Sequence, residues 1–576
     1  MKEKKHRVDF CVVGGGLSGM CAAIAAARRG ARVALVHDRP VLGGNASSEI
    51  RMWVCGARGR NNRETGLIEE MMLDNLYRNP TGNYSIWDSV LYEKVRFQEN
   101  LTLLMNCSCC RADTDAGRIR SVTGWQLTTE TWHTVEADLF ADCSGDGILA
   151  PLAGAEFRLG REARHEFGES IEPETADLKT MGMSCLIQAR ETDRPQPFIA
   201  PDWANYYESV EDLPCRGWDV RKTNFWWIEL GGEEDSIHDT EDLRDELLKV
   251  AFGVWDTIKN RSDQHVENWE LEWVGFLPGK RESRRLVGDH VLTQHDVEAE
   301  GRFDDLVAYG GWPMDDHHPG GVRHPGKPTI FHPAPSPFGI PYRCLYSRNI
   351  ENLFFAGRNI SCTHAGMSST RVMATCSTMG QAVGTAAALA VRDGLTPRGV
   401  YEEKIAELKQ TLLEDDAYLP WNRREIPALT RNAALEAAEG DPEPLRNGVD
   451  RPVDDTDNGW SGSPGAAVTM TFDKPTEIRE IRLVFDSDLN ADKNVFKMPC
   501  RYPLDAPPRR PPETLVRAFF IDTLPTDGSS TTLLKTLHDA QRLGQVPGTA
   551  CAAAVRFVPE KTWGAERVHV FAWDVR

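Results

Sequence analysis

The stretch Asp9-Phe-Cys-Val-Val-Gly14-Gly-Gly16-Leu17-Ser18-Gly19 sets three glycines at G-x-G-x-x-G spacing directly after an apolar run. Glycines at this spacing let backbone approach a phosphate. Gly14 permits a tight turn, Gly16 offers no Cβ to block a diphosphate, and Gly19 lets the next helix lie close on the strand. The start of that helix, with Leu17 and Ser18, turns N–H groups and a partial positive charge toward the phosphates. Two later stretches also carry reactive types. Arg281-Glu-Ser-Arg284-Arg285-Leu-Val-Gly-Asp-His290 places three arginines among acids. They can hold an anionic or polyol ligand, or pair with Glu282 and Asp289 and pin the fold; pinning is the reading we favour. Trp312-Pro-Met-Asp315-Asp316-His317-His318-Pro-Gly-Gly321 gathers two acids and two histidines in a Pro- and Gly-rich stretch. It shows neither helical nor hairpin spacing, which argues against a metal and for a lid carrying a substrate-side histidine.

These groups need elements to position them. Phe10–Val13 reads as a buried parallel strand, the small-residue run to Arg29 as a helix stopped at Gly30, and Ala31–His37 as a second strand. This is a βαβ unit, which binds a dinucleotide at the strand ends. The acid that such sites direct to the adenosine ribose falls at His37, with Asp38 next to it. Either His37, through one ring nitrogen, or Asp38, if the strand ends one residue late, suits the position. Arg39-Pro-Val-Leu-Gly43-Gly44-Asn45-Ala46-Ser47-Ser48-Glu49-Ile-Arg51 follows, and its glycine pair again admits a ligand close to the backbone. Asp138–Gly147 and Asn352–Asn359 each read as a short strand ending in a glycine turn. A long small-residue helix is then expected, capped by Ser368 or Ser369 and stopped at Gly394.

Gly14–Gly19 with Arg39 and Gly43-Gly44 resembles the two-part signature of FAD-binding flavoproteins of the glutathione-reductase and fumarate-reductase type. The Gly-Gly-Asn-Ala-Ser-Ser-Glu-Ile-Arg continuation is similar to a bacterial family of FAD-dependent oxidoreductases. The resemblance runs over residues 10–390 and implies FAD; no histidine attachment site is evident, so binding is expected to be noncovalent. It implies that Gly43–Ser48 passes along the diphosphate toward the flavin. Ser144, Gly145 and Asp146 would close over the cofactor, and Gly357 and Arg358 would end the last cofactor strand. Ser369 and Thr370 would open the helix that points at the flavin pyrimidine, where its N-terminal charge favours the anionic reduced form. His364 lies in the loop that would border the flavin, and it is the first choice for the base accompanying hydride transfer; a histidine bonded to backbone is the alternative. Arg51 and Arg371 would polarise a carbonyl or bind a carboxylate, with Glu49 orienting either.

The implied fold is α/β: a Rossmann-like FAD-binding domain over residues 1–155 and 341–395, with an inserted α+β substrate domain over 156–340. Within the insertion, Asn224–Leu230 alternates like a strand and Glu241–Lys259 has helical spacing. A helical linker over 396–439 leads to an all-β sandwich over 440–576, which resembles discoidin-like, galactose-binding modules and is expected to be separable. The formal net charge of -20 argues against nucleic-acid and anionic-membrane partners. Val372–Val391 is interrupted by Ser, Thr and Gln and reads as a buried helix, not a span. Cys107, Cys109 and Cys110 read as thiols of a strand, not as metal ligands. The charged start, Met1–Arg7, leads straight into the first strand and suggests a cytoplasmic protein.

The expected function is an FAD-dependent dehydrogenase or oxidase exchanging hydride between flavin N5 and a small polar substrate, a carbohydrate-like alcohol. The alternatives are a fumarate-reductase-like reductase of unsaturated acids, with Arg51, Arg281 or Arg371 on the carboxylate, and a carbohydrate-binding protein that keeps FAD for structure. The electron acceptor and oligomeric state are left open. Gly16→Val puts two methyl groups where the diphosphate would pass, so FAD affinity should fall about 100-fold or more while the C-terminal sandwich stays folded. A flavin titration that gives wild-type affinity in this variant would show that the loop does not hold the phosphates.

Overall fold

The computed structural model describes residues 1–525 and 529–576. The chain forms two compact units: Met1–Ala57, Gly82–Leu408 and Lys497–Pro508 in the first, Arg58–Thr81, Lys409–Phe496 and Arg509–Arg576 in the second.

The first unit is built on a five-stranded parallel sheet in the order Leu353–Phe355, Leu139–Asp142, Phe10–Val13, Val33–Val36, Leu101–Leu104. The strands Phe10–Val13, Val33–Val36 and Leu139–Asp142 are buried at every position, as in a parallel sheet covered on both faces. The helix Leu17–Arg28 is buried from Leu17 to Ala27, because the long helix Met373–Asp393 packs against it. Small residues make that contact possible. A Cβ at Gly380 would lie 2.0 Å from Ser18 O, and one at Gly384 2.1 Å from Ala22 O. The two helices therefore meet backbone to backbone. Gly394 ends the long helix in the left-handed conformation, as expected. A second sheet orders Lys2–Arg7, Thr131–Glu136, Arg118–Gln126 and Cys107–Asp115, so the three clustered cysteines do sit on a strand.

The insertion carries the helix Thr240–Asn260, whose Leu243, Leu247, Val254 and Ile258 pack with Trp218, Trp227 and Trp269. Asn224–Leu230 is not one strand. Only Glu229–Leu230 pairs, because Asn224 Oδ1 accepts the Trp226 N–H at 3.3 Å and Ile228 N donates to Phe225 O, turning the chain with Phe225 at φ 60°. The stretch Trp312–Gly321 is more regular than its Pro and Gly content suggests: Met314–His317 pairs antiparallel with Thr329–His332.

The second unit is an antiparallel β-sandwich with strand order Trp460–Gly462, Val568–Val575, Val468–Phe485, Leu543–Thr562, Val516–Leu524, Thr531–Thr536. Phe485, Phe519, Phe557 and Trp573 stack in its core. It begins ahead of residue 440, since Ala434–Ala437 pairs with Val468–Phe485 and Thr430 Oγ1 exchanges hydrogen bonds with Val575. It also recruits Arg58–Thr81. Arg451 donates to Asn61 O at 3.0 Å and to Thr65 Oγ1 at 2.8 Å, and Ser487 Oγ donates to Glu69 at 2.6 Å. Conversely, Arg501–Tyr502 joins the first unit as a parallel partner of Ile187–Glu191.

A chain ending at Gly440 therefore keeps the parallel sheet but strips Thr65 and Glu69 of Arg451 and Ser487. Such a chain should be insoluble or melt well below the full-length protein, since each buried partner lost leaves an unpaired polar group. A truncated protein with the wild-type melting curve would contradict this.

Candidate functional site

The glycines of the first loop have distinct duties. Gly14, at φ 107°, abuts the turn after Leu139–Asp142: a Cβ there would lie 2.3 Å from Cys143 O. A Cβ at Gly19 would lie 1.9 Å from Gly14 O. Gly16 is different, because its Cβ would meet nothing nearer than Gly44 Cα at 3.9 Å. Gly16 and Gly43 bridge like parallel strands, with Gly43 N donating to Gly15 O at 2.9 Å. The two glycine loops thus lie side by side as the floor of a cleft of about 400 Å³.

Of the residues expected from sequence, Gly14, Gly16, Leu17, Ser18, His37, Asp38, Arg39, Gly43, Gly44, Asn45, Ser144, Gly145, Asp146, Gly357, Arg358 and Arg371 line this cleft. Gly19, Ala46, Ser47, Ser48, Glu49, Arg51, His364, Ser369 and Thr370 do not line it. Ala46 O accepts from Trp87 Nε1 at 2.9 Å, Ser47 Oγ donates to Gly44 O at 2.7 Å, and Ser48 N donates to Asp88 at 3.0 Å. These three brace the second glycine loop from outside. Glu49 lies 3.9 Å from Arg39, and burial pushes its carboxyl up.

His37 is buried, and burial holds its ring below the ordinary imidazole range. Its Nδ1 accepts the Gly15 N–H at 3.0 Å and its Nε2 donates to Val41 O at 2.8 Å. One ring nitrogen is spent on the first glycine loop and the other on the stretch that leads to the second, so none is left for a ribose. Asp38, with 57% of its side chain exposed, is the acid at the rim. Arg51 lies between the rings of Tyr84 and Trp273, 4.6 Å from each, and donates to Ser48 O and Gln188. It does not line the cleft.

The helix that follows the strand Leu353–Phe355 is broken. His364–Thr370 forms a first helix, capped by Thr363 Oγ1 on Gly366 N at 3.1 Å; Val372 is extended, and the long helix starts at Met373. Ser368 and Ser369 cap nothing: Ser368 Oγ donates to Ala365 O and Ser369 Oγ to Trp312 O. The helix N-terminus at the cleft is thus Met373, with Cys376 beside it.

His364 is not placed to act as a base. Its Nδ1 bonds Glu282 at 2.8 Å, its Nε2 bonds Asp316 at 3.2 Å, and its backbone N–H donates to Glu162 at 2.9 Å. Burial alone would lower its pKa, but the Glu282 charge and the bonds to Asp316 and Glu282 hold it well above the ordinary imidazole range. An imidazolium between two carboxylates has no lone pair for a substrate proton.

Alternation along Met314–His317 explains the wider arrangement. Asp315 and His317 share one face and Asp316 takes the other. On the first face, Arg371 pairs with Asp315 at 3.3 Å, Asp315 with His317 at 3.4 Å, His317 with Glu229 at 2.7 Å, and Glu229 with Arg281 at 3.1 Å. On the second, Asp316 bonds His364, His364 bonds Glu282, and Arg285 lies 3.5 Å from Glu282 and 3.0 Å from Glu162. The arginines at 281 and 285 do pin the fold, but to Glu229, Glu162 and Glu282. Asp289 instead pairs with Arg398. Breaking either chain by removing one buried partner would cost about 3–5 kcal/mol. Glu172 stands apart: it is 1% exposed, neither carboxyl oxygen has a partner, and burial pushes it up to about 7.

The cleft walls present Arg39, Lys280, Arg284, Arg358 and Arg371 against Asp38 and Asp146. Ser18 Oγ is buried there with no hydrogen-bond partner except the neighbouring Cys143 thiol. An open face at Gly16, more cations than acids among the lining residues and a buried hydroxyl met only by a thiol fit the diphosphate of FAD. Among the described residues no cluster of His, Cys, Asp and Glu is set to hold a metal, and no helix is long and apolar enough to cross a membrane.

A family model described as FAD dependent oxidoreductase matches residues 9–412. No curated protein matches the chain. Among solved structures, the family 32 carbohydrate-binding module from Streptococcus pneumoniae EndoD is similar at 12% identity and TM-score 0.20, over 26% of this chain and 97% of that one. The family 32 module of C. perfringens NanJ, in complex with galactose, gives 8% and 0.19 over 25% and 94%. That of AlyQ, in complex with 4,5-unsaturated mannuronic acid, gives 13% and 0.18 over 25% and 93%. Likeness at this level says nothing of what the second unit binds.

Glu172 makes stability depend on pH. The folded chain keeps its proton up to about pH 7, whereas the unfolded chain releases it in the ordinary glutamate range, so folding takes up a proton in between. The stability it contributes is present below the unfolded value and is lost as pH rises toward the folded one, by at most about 1.4 kcal/mol per unit. Glu172→Gln should flatten that slope in unfolding curves taken from about pH 5 to about pH 8. Parallel curves for variant and wild type would contradict it.

Proposed function

The chain belongs to the FAD-dependent oxidoreductase family, and from that premise we propose that it exchanges a hydride between a small polar substrate, a carbohydrate-like alcohol, and noncovalently held FAD. Bound FAD supplies the two-electron chemistry. Gly16 leaves room for the diphosphate, Gly44 packs close on Gly16 from the second loop, Asp38 accepts from the ribose hydroxyls, and the helix start at Met373 turns its positive end into the cleft. Arg371, aligned by Asp315, binds and orients a substrate oxygen. The observation that carries the reading is the open, cation-lined face at Gly16. The polar, Trp-rich composition of the insertion supports a sugar-like substrate.

A second reading is reduction of an unsaturated carboxylic acid. Five cations and two acids line the cleft. Asp315 already meets Arg371 at 3.3 Å, so a carboxylate there would be held by the planar pair of guanidinium donors rather than by spare charge. Anaerobic spectra separate the two. Neutral polyols and aldoses should bleach the oxidised flavin band if the first reading holds; if only unsaturated acids reoxidise the reduced protein, the second holds. No redox change with either panel would contradict both.

A further inference from the structure

We propose that Lys280, carried by the inserted segment, is a ligand of the cofactor diphosphate and makes the insertion the second half of an anion site whose first half is the glycine loops. The proposal rests on the FAD reading above.

Lys280 lies on a two-residue strand, Gly279–Lys280, that pairs antiparallel with Met183–Ser184. This strand is pressed onto the second glycine loop. Asn45 Nδ2 donates to Lys280 O at 3.1 Å, and a Cβ at Gly279 would lie 2.9 Å from Ile50 Cγ2. The backbone is thereby fixed where the Lys280 side chain enters the cleft.

Charge is not balanced at that point. Lys280 Nζ stands 3.1 Å from Asp146 Oδ2. The other oxygen of Asp146 already accepts from Arg358 Nη2 and from Ser283 Oγ at 2.8 Å. Lys280 is 17% exposed and Arg358 14%, so two largely buried cations share one carboxylate. Arg284 adds a third cation at the same turn, with Nη1 donating to Asp146 O at 3.2 Å. The other acid lining the cleft is Asp38, beyond the first glycine loop at the end of Val33–Val36. Buried charge without compensation is costly, and burial does depress the Lys280 ammonium. A ligand bringing two negative charges with several acceptor oxygens relieves the imbalance. A lysine, a compact point charge with three donors, suits non-bridging phosphate oxygens.

The test uses the full-length protein stripped of cofactor and titrated with FAD or with riboflavin, which lacks the diphosphate, reading flavin fluorescence. Lys280→Met should weaken FAD by about 10- to 100-fold and leave riboflavin unchanged, Lys280→Arg should recover most of the loss, and added salt should narrow the gap to wild type. Lys280→Gln, which keeps a hydrogen bond to Asp146, replaces Lys280→Met if the latter fails to fold. Wild-type FAD affinity in the neutral variant overturns the proposal, and so does an equal loss of FAD and riboflavin, which would place Lys280 against the flavin ring. A wild-type protein that binds riboflavin as tightly as FAD also overturns it. A wild-type protein that binds neither flavin overturns the FAD reading itself.

Discussion

Backbone-to-backbone contact through glycine is the constraint on which the first unit depends. Gly380 and Gly384 seat the long helix on Ser18 and Ala22, and Gly14 and Gly19 seat the first loop on Cys143 and on each other. A methyl group at any of the four would meet backbone atoms that cannot yield. Helix, loop and turn are locked this way, whereas Gly16, whose Cβ would meet nothing nearer than Gly44 Cα at 3.9 Å, faces the cleft. Its freedom is informative because its neighbours have none.

Behind this cradle the structure relies on buried charge. Two ionic chains leave opposite faces of Met314–His317 and reach neighbouring residues, Arg281 and Glu282. The loop from Lys280 to Arg285 is therefore tied to the hairpin twice. The same loop sends Lys280 and Arg284 into the cleft, so the insertion and the glycine-loop floor meet there. Such networks add little net stability over an apolar core but are severely disrupted when one partner is removed, which gives a single arrangement. Arg371 shows the consequence: it lines the cleft with its guanidinium aimed by Asp315, itself held by His317 and Thr329.

What was legible in the sequence was local. The βαβ unit, both glycine loops and the glycine turns at Gly145 and Gly357 are written in contiguous residues, and all converge on one cleft. What was not legible depends on partners far along the chain. His364 reads as a base until Glu282 and Asp316, 82 and 48 positions away, occupy both ring nitrogens. His37 reads as a ribose ligand until Gly15 and Val41 claim it. The break at Val372 has neither Gly nor Pro to announce it. The boundary of the second unit is hidden because Glu69 meets Ser487 across 418 positions. Lys280 belongs to no motif; only its seat over Asn45 and beside Asp146 makes it conspicuous.

The central claim is that the cleft floored by Gly16 and Gly44 holds FAD without a covalent bond. Its most direct test is the identity and amount of cofactor released from purified protein by acid or heat, read by mass and by the visible spectrum before and after. The account predicts a yellow protein that yields intact FAD, close to one per chain, and a colourless polypeptide of unmodified mass. A colourless protein that takes up no FAD on reconstitution, or a flavin that stays on the polypeptide after denaturation, would contradict it.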